Sequence, residues 1–153
     1  MSAFRILWLE EDYLEAFEAA LQSKGFSVTR AFFISDAVKQ LEESRFDLLL
    51  LDVMIPIEDQ DIRLGFTKST TAGGDRSGIA FYQKYRDKLN SEGIQVLVYT
   101  ILGDNDETKQ AFVDLGLKPE NYIDKVSSSN VNDLIQHVEK ALRRSTPVTH
   151  RKD

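Results

Sequence analysis

Apolar residues gather in five short runs along the chain, and each run is followed by a stretch with helical spacing. The most apolar run, within FDLLLLDV, has leucine at every position from Leu48 to Leu51 and is too short for a typical helix. A strand that is apolar on both faces is typical of a parallel sheet covered by helices on both sides. The other four runs are FRILWL, SVTRAF, IQVLVYT and NYID. The pattern therefore predicts five strands.

Helical stretches separate these runs and follow the last one. After the first run, Leu14, Phe17 and Leu21 recur at the spacing of one helix face, and Gly25 stands where that helix would end. Ser77 is a candidate cap at the start of a later helix. The other helix faces are indicated by Val38 with Leu41, by Ile79, Tyr82, Tyr85 and Leu89, by Phe112 with Leu115, and by Leu134, Ile135, Val138 and Leu142. Strands that alternate with helices predict an α/β fold: a doubly wound five-stranded parallel sheet with helices on both faces.

Composition narrows the class of protein. The 153 residues match a single domain, and 42% of them are hydrophobic, enough to form a core. The formal net charge of −6 argues against nucleic acid as the main partner, since phosphate binding requires a basic surface. The absence of cysteine excludes disulfides and thiolate metal sites. The N-terminus lacks the layout of a signal peptide and no apolar run approaches the length of a membrane span, so a soluble cytoplasmic protein is expected.

Acidic residues, a hydroxyl and an amine stand where the predicted strands end. Glu10 and Glu11 follow the first strand, Asp52 follows the third, Thr100 ends the fourth and Lys125 follows the fifth. In open parallel sheets the ligand site lies outside the carboxyl ends of the strands, so these side chains should converge. Three carboxylates that converge repel one another, and a hard divalent cation such as Mg²⁺ relieves that repulsion. A lysine beside them suits a phosphoryl oxygen.

The segments RILWLEED, DLLLLDVMIP, VLVYT and NYIDK resemble, in this order, the receiver domain of two-component response regulators. The resemblance extends over residues 4–143 with one interruption, and it implies the flavodoxin-like strand order 2-1-3-4-5. In that family an aspartate after the third strand accepts a phosphoryl group from a histidine kinase, and Asp52 matches it. The resemblance also implies a Mg²⁺ site made by Glu10, Glu11, Asp52 and the backbone carbonyl of Met54.

Three further positions match working residues of the family. Thr100 matches the hydroxyl after the fourth strand and Lys125 the lysine after the fifth, and together with Asp52 they would carry out the phosphoryl chemistry. Tyr122 matches the aromatic switch position. The implied function is a signal-transduction receiver of a phosphorelay, which switches a protein-binding surface when it is phosphorylated. Such a receiver would catalyse its own Mg²⁺-dependent phosphorylation and dephosphorylation, and it is not expected to act as an enzyme on other molecules.

The resemblance implies the partners as well. The phosphoryl donor would be a histidine kinase or a phosphotransfer protein. The switched surface would bind a downstream protein, or a second copy of the chain in a homodimer. The acidic balance and the lack of an apolar span leave no expected role for nucleic acid or a membrane.

Two other functions stay open. The family's acidic pair is usually rich in aspartate, a small residue usually stands at Ile101, and proline usually follows the lysine, where this chain has Val126. These departures favour a pseudo-receiver, which would keep the fold as a protein-binding scaffold without phosphorylation. A small Mg²⁺-dependent phosphohydrolase with an aspartyl nucleophile would need a second acid beside Asp52, and Val53 and Met54 stand there instead.

The interruption lies between Pro56 and Gly78, where the family has a short turn. Its sequence, IEDQDIRLGFTKSTTAGGDRS, combines glycine, serine and threonine with mixed charge and predicts a mobile inserted loop at about residues 57–77. Such a loop beside the site would act as a lid or a docking element; a surface insertion tolerated at little entropic cost is the alternative. The predicted organisation is a receiver-like domain over residues 1–144 and a flexible tail over 145–153.

Overall fold

One parallel sheet organises the part of the chain that the structure describes. A computed structural model of the protein describes residues 3–127 and 130–143. The strands are β1 (Arg5–Leu9), β2 (Ser27–Ala31), β3 (Leu48–Leu51), β4 (Gln95–Thr100) and β5 (Tyr122–Asp124). They pair in the order β2-β1-β3-β4-β5, and each pairing is parallel. The predicted fold class and strand order are therefore confirmed.

Helices cover both faces of this sheet. They are α1 (Glu15–Ser23), α2 (Ile34–Glu43), α3 (Asp59–Arg63), α4 (Lys68–Thr71), α5 (Ser77–Ser91), α6 (Asp106–Asp114) and α7 (Val131–Leu142). On one face, α1 and α7 contribute Leu21 and Val138 to the core. On the other face, α2, α5 and α6 contribute Val38, Phe81 and Phe112. None of the helices in the described residues has the length and apolar character that crossing a membrane requires.

The central strand β3 explains the most apolar run of the sequence. All four of its leucines are fully buried. Leu48 and Leu50 pack with α1 and α7, whereas Leu49 and Leu51 pack with α2, α5 and α6. Burying one leucine side chain stabilises a fold by about 1.5–3 kcal/mol, so the strand is held firmly from both sides. The next residue, Asp52, therefore leaves the sheet from a rigid support.

The inserted segment is folded, which corrects the prediction of a loop over residues 57–77. It contains α3, α4 and a 3₁₀ turn at Ala72–Gly74. Phe66 lies between α3 and α4 and is 2% exposed, with its ring 6.4 Å from those of Phe81 and Tyr85. The sequence composition is polar, but this one aromatic ring has a place in the core, and it anchors the segment to α5. The predicted tail over 145–153 lies outside the described residues.

A buried carboxylate ties the same segment to α2. Asp61 of α3 is fully buried, and its two carboxylate oxygens accept from the N–H groups of Ser35 at 2.7 Å and Glu58 at 2.9 Å. Ser35 lies in the first turn of α2, where backbone N–H groups lack partners within the helix and a negative charge is favourable. The insertion thus contacts the amino-terminal end of α2 through Asp61 and continues along the chain into the amino-terminal end of α5.

Candidate functional site

The carboxyl ends of β1 and β3 bring two carboxylates side by side. Glu10 follows β1 directly and Asp52 follows β3 directly, and the two strands are neighbours in the sheet. The N–H of Asp52 donates to the carbonyl oxygen of Leu9 at 3.0 Å, which extends the strand pairing by one residue. Glu10 is fully buried and Asp52 is 6% exposed. The sheet itself therefore makes these two acids meet.

An ammonium group lies against both carboxylates. Lys125 follows β5, and its N–H donates to the carbonyl oxygen of Thr100 at 2.8 Å. Its Nζ forms an ion pair with Oε2 of Glu10 and lies 3.7 Å from Oδ2 of Asp52. Ionising two buried carboxyl groups is costly, and the ammonium offsets part of that cost. The structure thus brings together three of the predicted site residues, from the ends of three strands.

The pKa of Asp52 is raised from its ordinary value of 3.8 to about 7. Burial is the largest cause, because a desolvated carboxylate is unfavourable, and the negative charge of Glu10 adds to it. The ammonium of Lys125 acts in the opposite direction, as does the N–H of Val53, which donates to Oδ1 of Asp52 at 2.8 Å. Protonation of Asp52 at neutral pH is therefore far more favourable than protonation of an ordinary aspartate. Reactive carboxyl groups often show such a shift.

Thr100 and Tyr122 both bind the loop that follows β4. Thr100 is fully buried, and its Oγ1 accepts from the N–H of Leu102 at 3.1 Å. The hydroxyl of Tyr122 donates to the carbonyl oxygen of the same Leu102 at 2.6 Å. The Tyr122 ring packs on Phe112, and burial raises the pKa of its hydroxyl to about 12. Leu102 thus connects the predicted hydroxyl of the site to the predicted switch residue.

Glu11 is not part of this arrangement. It is exposed, because successive residues that leave an extended strand direct their side chains to opposite sides and Glu10 takes the inner side. Within residues 3–127 and 130–143, no three His, Asp or Glu side chains are grouped so as to hold a metal ion, so the predicted three-carboxylate cluster does not form. The oxygen donors that the structure brings together for a hard cation are the carboxylates of Glu10 and Asp52, whereas the backbone carbonyl of half-buried Met54 stays a prediction. This donor chemistry fits Mg²⁺.

Gly78, which sequence reasoning did not assign to the site, lies against the backbone of Asp52. Its N–H donates to the carbonyl oxygen of Val53 at 2.8 Å. A Cβ at this position would overlap the carbonyl oxygen of Asp52 and lie 2.8 Å from the Cα of Val53. A glycine in the first turn of a predicted helix was the available signal, because helix propensity disfavours it unless backbone must approach closely.

Arg30 is a second residue that sequence reasoning missed. Its guanidinium donates to the carbonyl oxygens of Glu10, at 3.2 Å, and of Asp12. The same group stacks on Trp8, 4.7 Å from the ring centroid, and on Phe32, at 5.1 Å. Burial lowers the pKa of Arg30, and neighbouring acids oppose that change. Arg30 therefore fixes the loop that leaves β1 and carries the buried glutamate.

We expect Arg30→Met to lower the free energy of unfolding by about 1–2 kcal/mol, from the lost hydrogen bonds and the lost ring contacts. Emission of Trp8, the single tryptophan, should change in the folded state as its ring loses the cation. Urea denaturation followed by this emission measures both effects. Arg5→Met is the matched control, since Arg5 stacks on Phe46 at the opposite end of β1. Equal emission changes in the two variants would contradict the assignment.

Three solved structures show what this fold resembles. A CheY-like response regulator receiver domain from Methanospirillum hungatei has a TM-score of 0.68 and 21% identity, over 93% of this chain and 95% of its own. Chemotaxis response regulator CheY4 of Vibrio cholerae has a TM-score of 0.67 and 18% identity, over 92% of this chain and 99% of its own. HP1043, an orphan response regulator of H. pylori, has a TM-score of 0.65 and 18% identity, over 93% of this chain and 98% of its own. No protein-family model matches the chain, and no curated protein matches its sequence.

The likeness covers nearly the full length of these proteins, but identities near 20% establish a common fold and not a common chemistry. The strand order and the helices on both faces agree with it. The protein therefore has the fold of the response regulator receiver domain.

Proposed function

We propose that this protein is a signal receiver that accepts a phosphoryl group on Asp52 from a histidine kinase or a phosphotransfer protein. The observation that carries the proposal is the triad of Glu10, Asp52 and Lys125 at the carboxyl ends of parallel strands. In open α/β sheets this edge is where ligands bind. A carboxyl group with a pKa of about 7 is both ionisable at physiological pH and a stronger base than an ordinary aspartate.

The chemistry is a transfer between two covalent carriers. An ionised oxygen of Asp52 attacks the phosphorus of a phosphohistidine, a bond forms between them, and the bond from phosphorus to the imidazole nitrogen breaks. The electron pair of the broken bond stays on the imidazole, which then takes up a proton. The ammonium of Lys125 is 3.7 Å from Asp52. It would leave the carboxylate of Glu10 and bind an oxygen of the phosphoryl group.

Glu10, Asp52 and the carbonyl of Met54 are the residues that would hold a divalent cation. When bound there, Mg²⁺ would neutralise negative charge on the phosphoryl group. The role of Glu10 follows from its position: it is fully buried and already faces a cation, the ammonium of Lys125. Release of that ammonium toward the phosphoryl group would leave Glu10 available to the metal.

The output would be a change in the surface around Tyr122. Thr100 accepts from the N–H of Leu102, so a phosphoryl group that attracts its hydroxyl would disturb the loop after β4. Tyr122 donates to the carbonyl of the same Leu102 and would have to follow that loop. The region formed by this loop, β5 and α7 would then exist in two packings, whose populations phosphorylation shifts. A downstream protein would read the difference.

The rim of the site favours a protein as the phosphoryl donor. Tyr13, Ile101 and Val126 are 72%, 56% and 70% exposed, and they follow β1, β4 and β5 respectively. These side chains follow strands whose carboxyl ends lie at the same edge of the sheet as Asp52, and apolar side chains exposed there would suit a surface that a protein partner covers. The acidic crevice at the centre would receive the phosphohistidine, and the apolar rim would bind the surface around it.

Incubation with Mg²⁺ and phosphoramidate should add one phosphoryl group to the native chain and none to Asp52→Asn. Asparagine has no ionised oxygen to attack phosphorus, so we expect labelling to fall by at least ~100-fold, as measured by intact mass. Asp47→Asn is the matched control: Asp47 is also fully buried, but it lies before β3 and accepts from the N–H of Arg5. Labelling of Asp52→Asn at the native rate would refute the proposal.

A pseudo-receiver is the second candidate, and one observation favours it. Lys125 already forms an ion pair with Glu10 and lies close to Asp52, so the site is largely neutralised by its own residues, and Glu11 is turned away. A scaffold of this kind would bind a protein partner without Mg²⁺ or phosphorylation. Calorimetric titration with Mg²⁺ separates the candidates: no heat of binding, together with no labelling by a cognate kinase, would assign the protein to the scaffold class.

A further inference from the structure

We infer that Ser77 is a positioning residue of the Asp52 site. Its hydroxyl fixes the backbone that follows the phosphoacceptor, and this makes the carboxyl end of the insertion a part of the site. The inference rests on the proposed function, since it concerns the segment that holds Asp52 and Met54. It gives a role to a segment that composition alone would class as a surface loop.

The contacts of Ser77 converge on two residues of that backbone. Ser77 is fully buried. Its Oγ accepts from the N–H of Ile55 at 2.8 Å, and it lies 2.6 Å from the carbonyl oxygen of Ile55, 2.9 Å from that of Gly74 and 3.4 Å from that of Val53. A hydroxyl has one proton, so it donates to one of these carbonyls at a time. The shortest distance assigns that proton to the carbonyl of Ile55.

Two glycines allow the insertion to approach this backbone so closely. The N–H of Gly78 donates to the carbonyl oxygen of Val53 at 2.8 Å. A Cβ on Gly74 would lie 3.2 Å from the carbonyl oxygen of Ile55, and the φ of Gly74 is +102°, which other residues rarely adopt. Val53 and Ile55 are therefore both held from the insertion side. Met54, whose carbonyl is a candidate metal ligand, is the single residue between these two fixed neighbours.

The direction of the Ser77 hydroxyl distinguishes this role from helix capping. The sequence predicts Ser77 as the cap of α5, but the helix begins at Ser77 itself and Arg76 precedes it. A capping serine would accept from an N–H in the first turn of its own helix. Here the hydroxyl accepts from Ile55, 22 residues earlier in the chain. This hydrogen bond spans the whole insertion and fixes the backbone beside Asp52. It satisfies no N–H group in the first turn of α5.

The test compares Ser77→Ala with Thr71→Val, which is a matched loss of a buried hydroxyl. Thr71 is fully buried in α4, and its Oγ1 donates to the carbonyl oxygen of Thr67 at 2.6 Å, within the insertion. Affinity for Mg²⁺ is measured by calorimetry, and the rate of labelling by phosphoramidate is measured by intact mass. We expect Ser77→Ala to weaken Mg²⁺ binding about tenfold and to slow labelling by a similar factor, because the Met54 carbonyl and Asp52 lose their fixed geometry. Thr71→Val should leave both values within about twofold of the native chain.

A near-isosteric variant guards against a failure to fold. Ser77→Cys keeps the size of the side chain but forms much weaker hydrogen bonds, so it should show the same loss of Mg²⁺ affinity. Native Mg²⁺ affinity and native labelling in the folded Ser77 variants would overturn the inference and leave the proposed function standing. Equal losses in Ser77→Ala and Thr71→Val would also overturn it. A native chain that neither binds Mg²⁺ nor is labelled would overturn both.

Discussion

Asp52→Asn is expected to raise the free energy of unfolding at pH 8 by about 2–4 kcal/mol. The pKa of Asp52 is about 7 in the folded protein, against an ordinary value of 3.8. The folded state therefore keeps the proton up to about pH 7, whereas the unfolded chain releases it near pH 4. As pH rises between these values, the native protein loses stability, because ionisation of the carboxyl group lowers the free energy of the unfolded state and not that of the folded state. Asparagine has no proton to release and avoids this loss.

Urea denaturation at pH 4.5, 6 and 8 measures the effect, with a chelator present and Trp8 emission as the signal. The stability gain of Asp52→Asn should be largest at pH 8 and should shrink as pH falls toward 4. Asp59→Asn is the control, because Asp59 is exposed in α3 and its replacement should change stability by less than about 0.5 kcal/mol. A gain that does not depend on pH, or a loss at pH 8, would contradict the raised pKa.

The gain would have a functional meaning. Asp52 is raised in pKa mainly by burial and by the charge of Glu10, so the fold keeps two acids together at a cost in stability. Proteins commonly tolerate such a cost where a reactive group is needed, and replacing that group then stabilises the fold. A variant that is more stable but cannot be labelled would link the two properties to the same carboxyl group.

Gly78→Ala is expected to lower the free energy of unfolding by about 2 kcal/mol or more and to slow labelling of Asp52 by at least ~10-fold. Alanine would normally favour a helix over glycine by about 1 kcal/mol. At this position its Cβ would overlap the carbonyl oxygen of Asp52, which is backbone and cannot rotate away. Either α5 or the end of β3 must move, so the steric cost outweighs the helix propensity.

Gly73→Ala provides the control for this variant, and the same denaturation and mass measurements apply. Gly73 belongs to the same insertion and has a φ of +68°, and no atom lies within 4 Å of the position that a Cβ would take there. Its replacement should cost about 1 kcal/mol through backbone strain and leave the labelling rate unchanged. Labelling of Gly78→Ala at the native rate would show that the backbone of Asp52 tolerates displacement.

Much of the fold follows from local patterns in the sequence. The unbroken apolar run of β3 and the helical spacing around Leu21 and Val138 are patterns among residues that are close in sequence. Parallel strands end at one edge, so the positions of Glu10 and Asp52 after β1 and β3 were sufficient to predict their meeting. Those predictions needed no knowledge of distant contacts, because ligand sites of open parallel sheets lie outside the carboxyl ends of the strands. The order of the strands was implied by the resemblance to the receiver family.

Contacts between distant segments account for the rest. Which of Glu10 and Glu11 enters the site depends on the side of the sheet that each faces. The insertion folds because Phe66 finds a place in the core beside α5, which its polar composition does not reveal. Ser77 and Gly78 reach Ile55 and Val53 only because the insertion returns to the end of β3.

Local sequence was thus enough to predict the parallel strands and the meeting of Glu10 with Asp52, but not the exclusion of Glu11. The groups that surround those acids could not be predicted in the same way, because burial and close backbone approach depend on packing between segments far apart in the chain.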